Sequence, residues 1–82
     1  MWEVEYTQEG HTQRATLPAA GRRALDEVIE RLGRDPTQGQ RYRADYPREY
    51  RMSSFGEWGL VVYLVHERRR VVVLLDIIWA GS

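Results

Sequence analysis

Apolar and polar residues alternate from the start of the chain: Trp2, Val4 and Tyr6 interleave with Glu3, Glu5 and Thr7. A period of two with aromatic and β-branched residues predicts a half-buried strand. The period changes at Leu17. Leu17, Ala20, Ala24, Leu25, Val28, Ile29 and Leu32 recur at three and four, which draws one apolar stripe along a helix over residues 17–32. Pro18 suits its first turn, and Gly33 and Pro36 are its stop signals. The stretch between, QEGHTQRAT at 8–16, is polar. It predicts at most a short helix capped by Thr7 and weakened by Gly10. After the long helix, Pro36, Gly39 and Pro47 punctuate a connector over 35–47. Three strands are then predicted, at 50–54, 60–65 and 71–79. Phe55-Gly56-Glu57 sits at the first turn between them and Glu67-Arg68-Arg69-Arg70 at the second.

A turn centred on Arg68 and Arg69 sets His66 opposite Val71 and Val61 opposite Asp76, and paired residues share a face. One face then holds Leu60, Val62, Leu64, Val71, Val73, Leu75, Ile77 and Trp79, and we expect the helix stripe to pack there, with Tyr50 and Met52. The other holds Val61, Tyr63, Val65, Val72, Leu74, Asp76 and Ile78, with Arg51 and Ser53. With one or two helices to hand, this second face is expected to want a helix from another chain over Val61, Tyr63, Val65, Leu74 and Ile78. The whole is one small α+β domain over residues 1–82: an N-terminal strand, one or two helices packed on one face of the sheet, then a three-strand antiparallel meander.

Composition narrows the chemistry. Eighty-two residues without cysteine exclude disulfides and thiolate metal sites. Two histidines are too few for a histidine-built metal centre, so neither metal nor cofactor is expected. So small a core commonly leans on a partner protein or a second copy. The N-terminus lacks the basic and apolar segments of a signal peptide. The apolar run at 60–65 falls far below the roughly 20 residues of a membrane span, so a cytoplasmic protein is expected. All twelve basic residues are arginine, balanced by twelve acids. Residues 41–82 hold seven arginines against five acids, residues 1–40 five against seven. The second half is therefore the expected side for an anionic partner.

The cations concentrate in RYRADYPREYR, residues 41–51. Arg41, Arg43 and Arg48 can grip phosphates while Tyr42 and Tyr46 stack on unpaired bases. The segment is also what a solvated loop looks like. Metal-free RNA cleavage needs a phosphate clamp and acid–base groups. Arg51 is the candidate clamp, and Tyr63 and Asp76 are the candidate proton carriers expected on its face. Each has an ordinary alternative: Asp76 as a paired structural carboxylate, Tyr63 as a half-buried strand aromatic, Arg51 as the partner of Glu49 or Asp76.

The order of elements, with WEVEYT at the start, ERLGRDP closing the helix, EYRMSS opening a strand and GLVVYLV followed by RRVVVLLDIIW, resembles the RelE/ParE toxin superfamily of bacterial type II toxin–antitoxin systems. The resemblance implies an antiparallel sheet with helices on one face, a cognate antitoxin as partner, and toxicity. RelE-like members cut messenger RNA on the ribosome, and ParE-like members poison DNA gyrase. Arg51 matches a basic position of the RelE-type strand, while Ser53 stands where a second base would be. The arginine of a G-Y-R-L-V-Y pattern has no counterpart in Gly59-Leu60-Val61-Val62-Tyr63. RelE-type chains also carry an arginine and a late tyrosine past the last strand, and the sequence holds neither after Trp79. The resemblance thus leaves two functions open: a metal-independent, ribosome-dependent endoribonuclease, or a gyrase inhibitor or non-catalytic binding protein of the same fold.

Overall fold

The computed structural model describes residues 1–41 and 49–81. Its elements are β1 (Glu3–Tyr6), α1 (Gln8–Ala15), α2 (Ala19–Arg34), a 3-10 turn (Pro36–Gln38), β2 (Gln40–Arg41), β3 (Glu49–Phe55), β4 (Gly59–His66) and β5 (Val71–Trp79). The five strands form one sheet in the order β1-β5-β4-β3-β2. The meander β3-β4-β5 is antiparallel, as the turn signals imply, but β1 joins it parallel to β5, so the sheet is mixed rather than the antiparallel one expected. Both helices lie on one side of the sheet, which bears out the expected architecture.

The short helix forms because Thr7 caps it, its Oγ1 accepting from the Gly10 N–H at 3.0 Å. Gly10 strengthens this arrangement through packing. A Cβ there would stand 2.7 Å from the Leu74 carbonyl oxygen, so only glycine lets α1 lie against β5. The long helix starts and ends two residues later than its stripe predicts. Pro18 has extended dihedrals and serves as the N-cap rather than the first helical residue, its carbonyl accepting from Arg22 N–H at 3.0 Å. Gly33 lies inside the helix, where its carbonyl takes the Trp2 N–H at 2.8 Å, and Pro36 stops the helix after Asp35.

Two further sheet expectations are corrected. The hairpin begins in the predicted register, His66 opposite Val71, but Leu75 is an extra residue bulged out of the ladder. Beyond it Val61 faces Ile77, and Asp76 faces Val62. The choice of inner face is reversed. Val61, Tyr63, Val65, Val72 and Leu74 are buried under the chain's own helices with Leu25, Val28, Leu32 and Phe55. The foreign helix expected over Val61, Tyr63, Val65 and Leu74 therefore has no room, and of that set only Ile78 is exposed. β1 accounts for the outcome. Its apolar Val4 and Tyr6 align with Val72 and Leu74, and its acidic Glu3 and Glu5 align with Val71 and Val73. One amphipathic strand thus assigns the sides of a sheet whose central strands are apolar on both.

Candidate functional site

The candidate site lies where the 3-10 turn and β2 run beside β3 and β4. Asp35 starts the turn: its Oδ1 accepts from Thr37 N at 3.0 Å and from Thr37 Oγ1 at 2.6 Å. Those two bonds hold its carboxyl below the usual carboxylate range. β2 then pairs with β3, Gln40 opposite Met52 and Arg41 opposite Arg51.

Arg51 and Tyr63 come together, directly opposite in the β3–β4 register. Tyr63 is fully buried. Its hydroxyl donates to the Pro36 carbonyl at 2.6 Å and accepts from the Gly39 N–H at 3.1 Å. Burial pushes the phenol above its ordinary pKa, against the opposing pull of the Gly39 N–H and the Arg51 charge. Gly39 has an ordinary φ. It is required by space, since a Cβ would meet the Tyr63 hydroxyl and come within 2.7 Å of the Met52 carbonyl oxygen.

Arg51 is largely sheltered, its side chain 15% exposed. Nε donates to Glu49 Oε1 at 2.8 Å, Nη2 lies 2.7 Å from the same oxygen, and Nη1 donates to the carbonyls of Gly39 at 2.6 Å and Thr37 at 3.2 Å. Its fork is thus spread across one carboxylate and two peptide carbonyls, tying β3 to the 37–39 segment.

Asp76 stands apart from this pair. The bulge places it opposite Val62, one residue out of step with Tyr63, and Gln13 Nε2 of α1 donates to its Oδ1 at 2.8 Å. The structure therefore unites two of the three candidate catalytic side chains and not the third. Arg41 is exposed at the end of β2. Tyr42, Arg43, Tyr46 and Arg48 lie outside the described residues.

Sequence reasoning foresaw Glu49 as a partner of Arg51, because residues two apart on a strand share a face. It missed three other contributors. Gly39 and the Pro36 carbonyl were not legible, because nothing local says that a distant phenol will reach them. Gln13 likewise carries no sequence signal: its Oε1 accepts the Ile77 N–H at 2.7 Å, sixty-four residues away along the chain.

The side of the sheet away from the helices has a different character. Tyr50, Leu64 and Val73 align across three strands, as do Met52, Val62 and Asp76, and Ser54, Leu60 and Ile78. None of these residues is an arginine.

No family model and no curated protein matches the sequence. Solved structures do. The isolated E. coli RelE toxin superposes with a TM-score of 0.84 at 13% identity, covering all of this chain and 87% of that one. The chain has the RelE fold. A chain of the intact E. coli RelBE toxin–antitoxin complex also superposes at 0.84 with 13% identity and full coverage of both. The archaeal RelE–RelB complex from Pyrococcus horikoshii OT3 gives 0.75 at 18% identity, covering 99% of this chain and 97% of the other. Among the described residues no helix of this RelE-fold chain is long and apolar enough to cross a membrane.

Proposed function

We propose that this chain is the toxin of a type II toxin–antitoxin pair, neutralised in the cytoplasm by a cognate antitoxin. The observation that supports this most is the RelE fold itself, matched from end to end and found in structures of RelE together with RelB. In the RelE-like form of the proposal the toxin cuts messenger RNA on the ribosome. Arg51 then holds the phosphate at the cut, Tyr63 and Asp76 serve the proton transfers, and Arg41, Tyr42, Arg43, Tyr46 and Arg48 hold the flanking strand. For that, Arg51 must release the one Glu49 oxygen that its Nε and Nη2 share and take an RNA phosphate in its place.

A second form is favoured by the geometry of the side chains. Arg51 and Tyr63 are engaged within the fold, and Asp76 is held by Gln13. A toxin that binds and blocks its target, DNA gyrase in a ParE-like case, needs none of the three free.

One set of variants separates the two forms. Expression is tightly controlled, and protein and DNA synthesis are pulse-labelled in parallel. Cutting predicts an early stop in protein synthesis that Arg51→Ala abolishes and Glu49→Gln preserves or strengthens. Blocking predicts that folded Arg51→Ala arrests growth as the unaltered chain does. Growth without arrest for the unaltered chain, folded and free of any partner, would remove the toxin proposal altogether.

A further inference from the structure

The sheet is unfinished along the outer edge of β5. β1 pairs with Val71 to Leu74 and then leaves into α1, while β5 continues to Trp79. Along a strand the N–H and C=O of one residue point to the same side, and those of alternate residues share that side. The Ile77 N–H points outward, since it donates to Gln13 Oε1 at 2.7 Å. The Ile77 carbonyl and the Trp79 N–H therefore point outward as well, and neither has a partner among the described residues. Beside them runs a groove of about 400 Å³, lined by Gln13 together with residues of the α1–α2 junction and the end of β5, Leu17 and Trp79 among them.

Among the described residues no segment of the chain completes this edge. β1 has already ended, and past Trp79 the Ala80 N–H donates to the Trp58 carbonyl at 2.8 Å, which leads the backbone toward the β3–β4 turn. The Gln13 carboxamide shows what the edge accepts. Its Oε1 takes the Ile77 N–H as a neighbouring peptide carbonyl would, while its own N–H goes to the Asp76 side chain.

We propose that this edge is a peptide-binding site. An extended segment of a partner protein adds as a short outer strand, its N–H donating to the Ile77 carbonyl and its C=O accepting the Trp79 N–H, with one aliphatic side chain in the groove. Main-chain bonds at a sheet edge supply affinity and an adjoining pocket supplies selectivity. A helix is the wrong occupant, because its backbone groups are already paired. The groove lies within the range of ligand pockets, about 300–1,000 Å³, and has room for an aliphatic side chain with the backbone beside it. The proposal goes beyond the toxin reading and holds whatever the target proves to be.

The test is an amide NMR titration of the intact chain with the capped peptide acetyl-Thr-Val-Leu-Val-Thr-amide, alongside the same peptide N-methylated at its leucine. The expected result is a saturable shift centred on Trp79 and Ile78. At peptide three times its Kd, exchange of the Trp79 amide should slow about fourfold, following one plus ligand over Kd. The N-methylated peptide, lacking the donor, should fail. A Trp79 amide that stays unmoved at millimolar peptide would overturn the proposal. So would equal binding of the methylated peptide, or shifts confined to Leu60, Val62 and Val73 on the face away from the helices.

Discussion

Replacing Tyr63 with phenylalanine removes one oxygen and leaves two buried peptide groups without partners. The hydroxyl is the acceptor for Gly39 N–H at 3.1 Å and the donor to the Pro36 carbonyl at 2.6 Å, both in buried surroundings. A buried group left unpaired costs about 1–3 kcal/mol, so with two such groups Tyr63→Phe should lose about 2–6 kcal/mol. A domain of this size is stable by about 4–12 kcal/mol in total. The loss should lower Tm by at least about 8 °C, at about 4–8 °C per kcal/mol for a chain of this length. Urea unfolding followed by tryptophan fluorescence gives the free energy directly. Hydrogen exchange at the Gly39 amide gives the local consequence, which should be faster in the variant even under conditions where the domain stays folded. A free-energy loss below about 0.5 kcal/mol, the range of ordinary surface changes, would refute the view that this phenol anchors the 36–39 segment.

Gly10→Ala should destabilise by about 1–3 kcal/mol despite alanine's better helix propensity, because the new methyl meets the Leu74 carbonyl; thermal unfolding checks it. Burial raises the hydroxyl pKa of both Tyr63 and Tyr6, so the folded state holds those protons more tightly than the unfolded chain. Stability should therefore be level below about pH 10, the unfolded phenol value, and fall as pH rises through the folded values; urea unfolding across that range should show a shallower fall in Tyr63→Phe. Arg51→Ala should cost about 1–3 kcal/mol by urea titration, since it strands Glu49 and two peptide carbonyls, so its effect on growth must be read at a temperature where the variant is folded. If the connector grips RNA, replacing Arg41, Arg43 and Arg48 with glutamine should flatten the log-affinity against log-salt slope by about 0.7–0.9 per lost phosphate contact; Tyr42→Leu with Tyr46→Leu should weaken binding with little change in slope.

The elements themselves were readable from local pattern. The 3.6-residue stripe of α2 and the β-branched runs of β4 and β5 are fixed by which side chains recur at which spacing, and so is the tight turn that sets His66 against Val71. From those elements the RelE-like order of strand, helices and meander followed, and the superpositions bear it out.

Which side of the sheet faces inward did not follow from the central strands, because Val, Leu and Ile occupy both faces and alternation between two apolar sets has no sign. It was settled by β1, whose two glutamates point the sheet outward once the strand is paired beside β5, a contact between chain ends. The bulge at Leu75 is likewise invisible in sequence, yet it moves Asp76 out of step with Tyr63 and so decides which candidate side chains can meet. The opening choice for Arg51, clamp or partner of Glu49, shows the same limit. Residue identity established that a planar, always-charged fork would sit on this strand. Only the arrival of Gly39 and Thr37 from the far side of the connector determined that its hydrogen bonds would be spent within the fold. Local sequence sets the preferences of each segment through near-neighbour sterics and burial, whereas contacts between distant segments depend on the packed geometry of the whole chain.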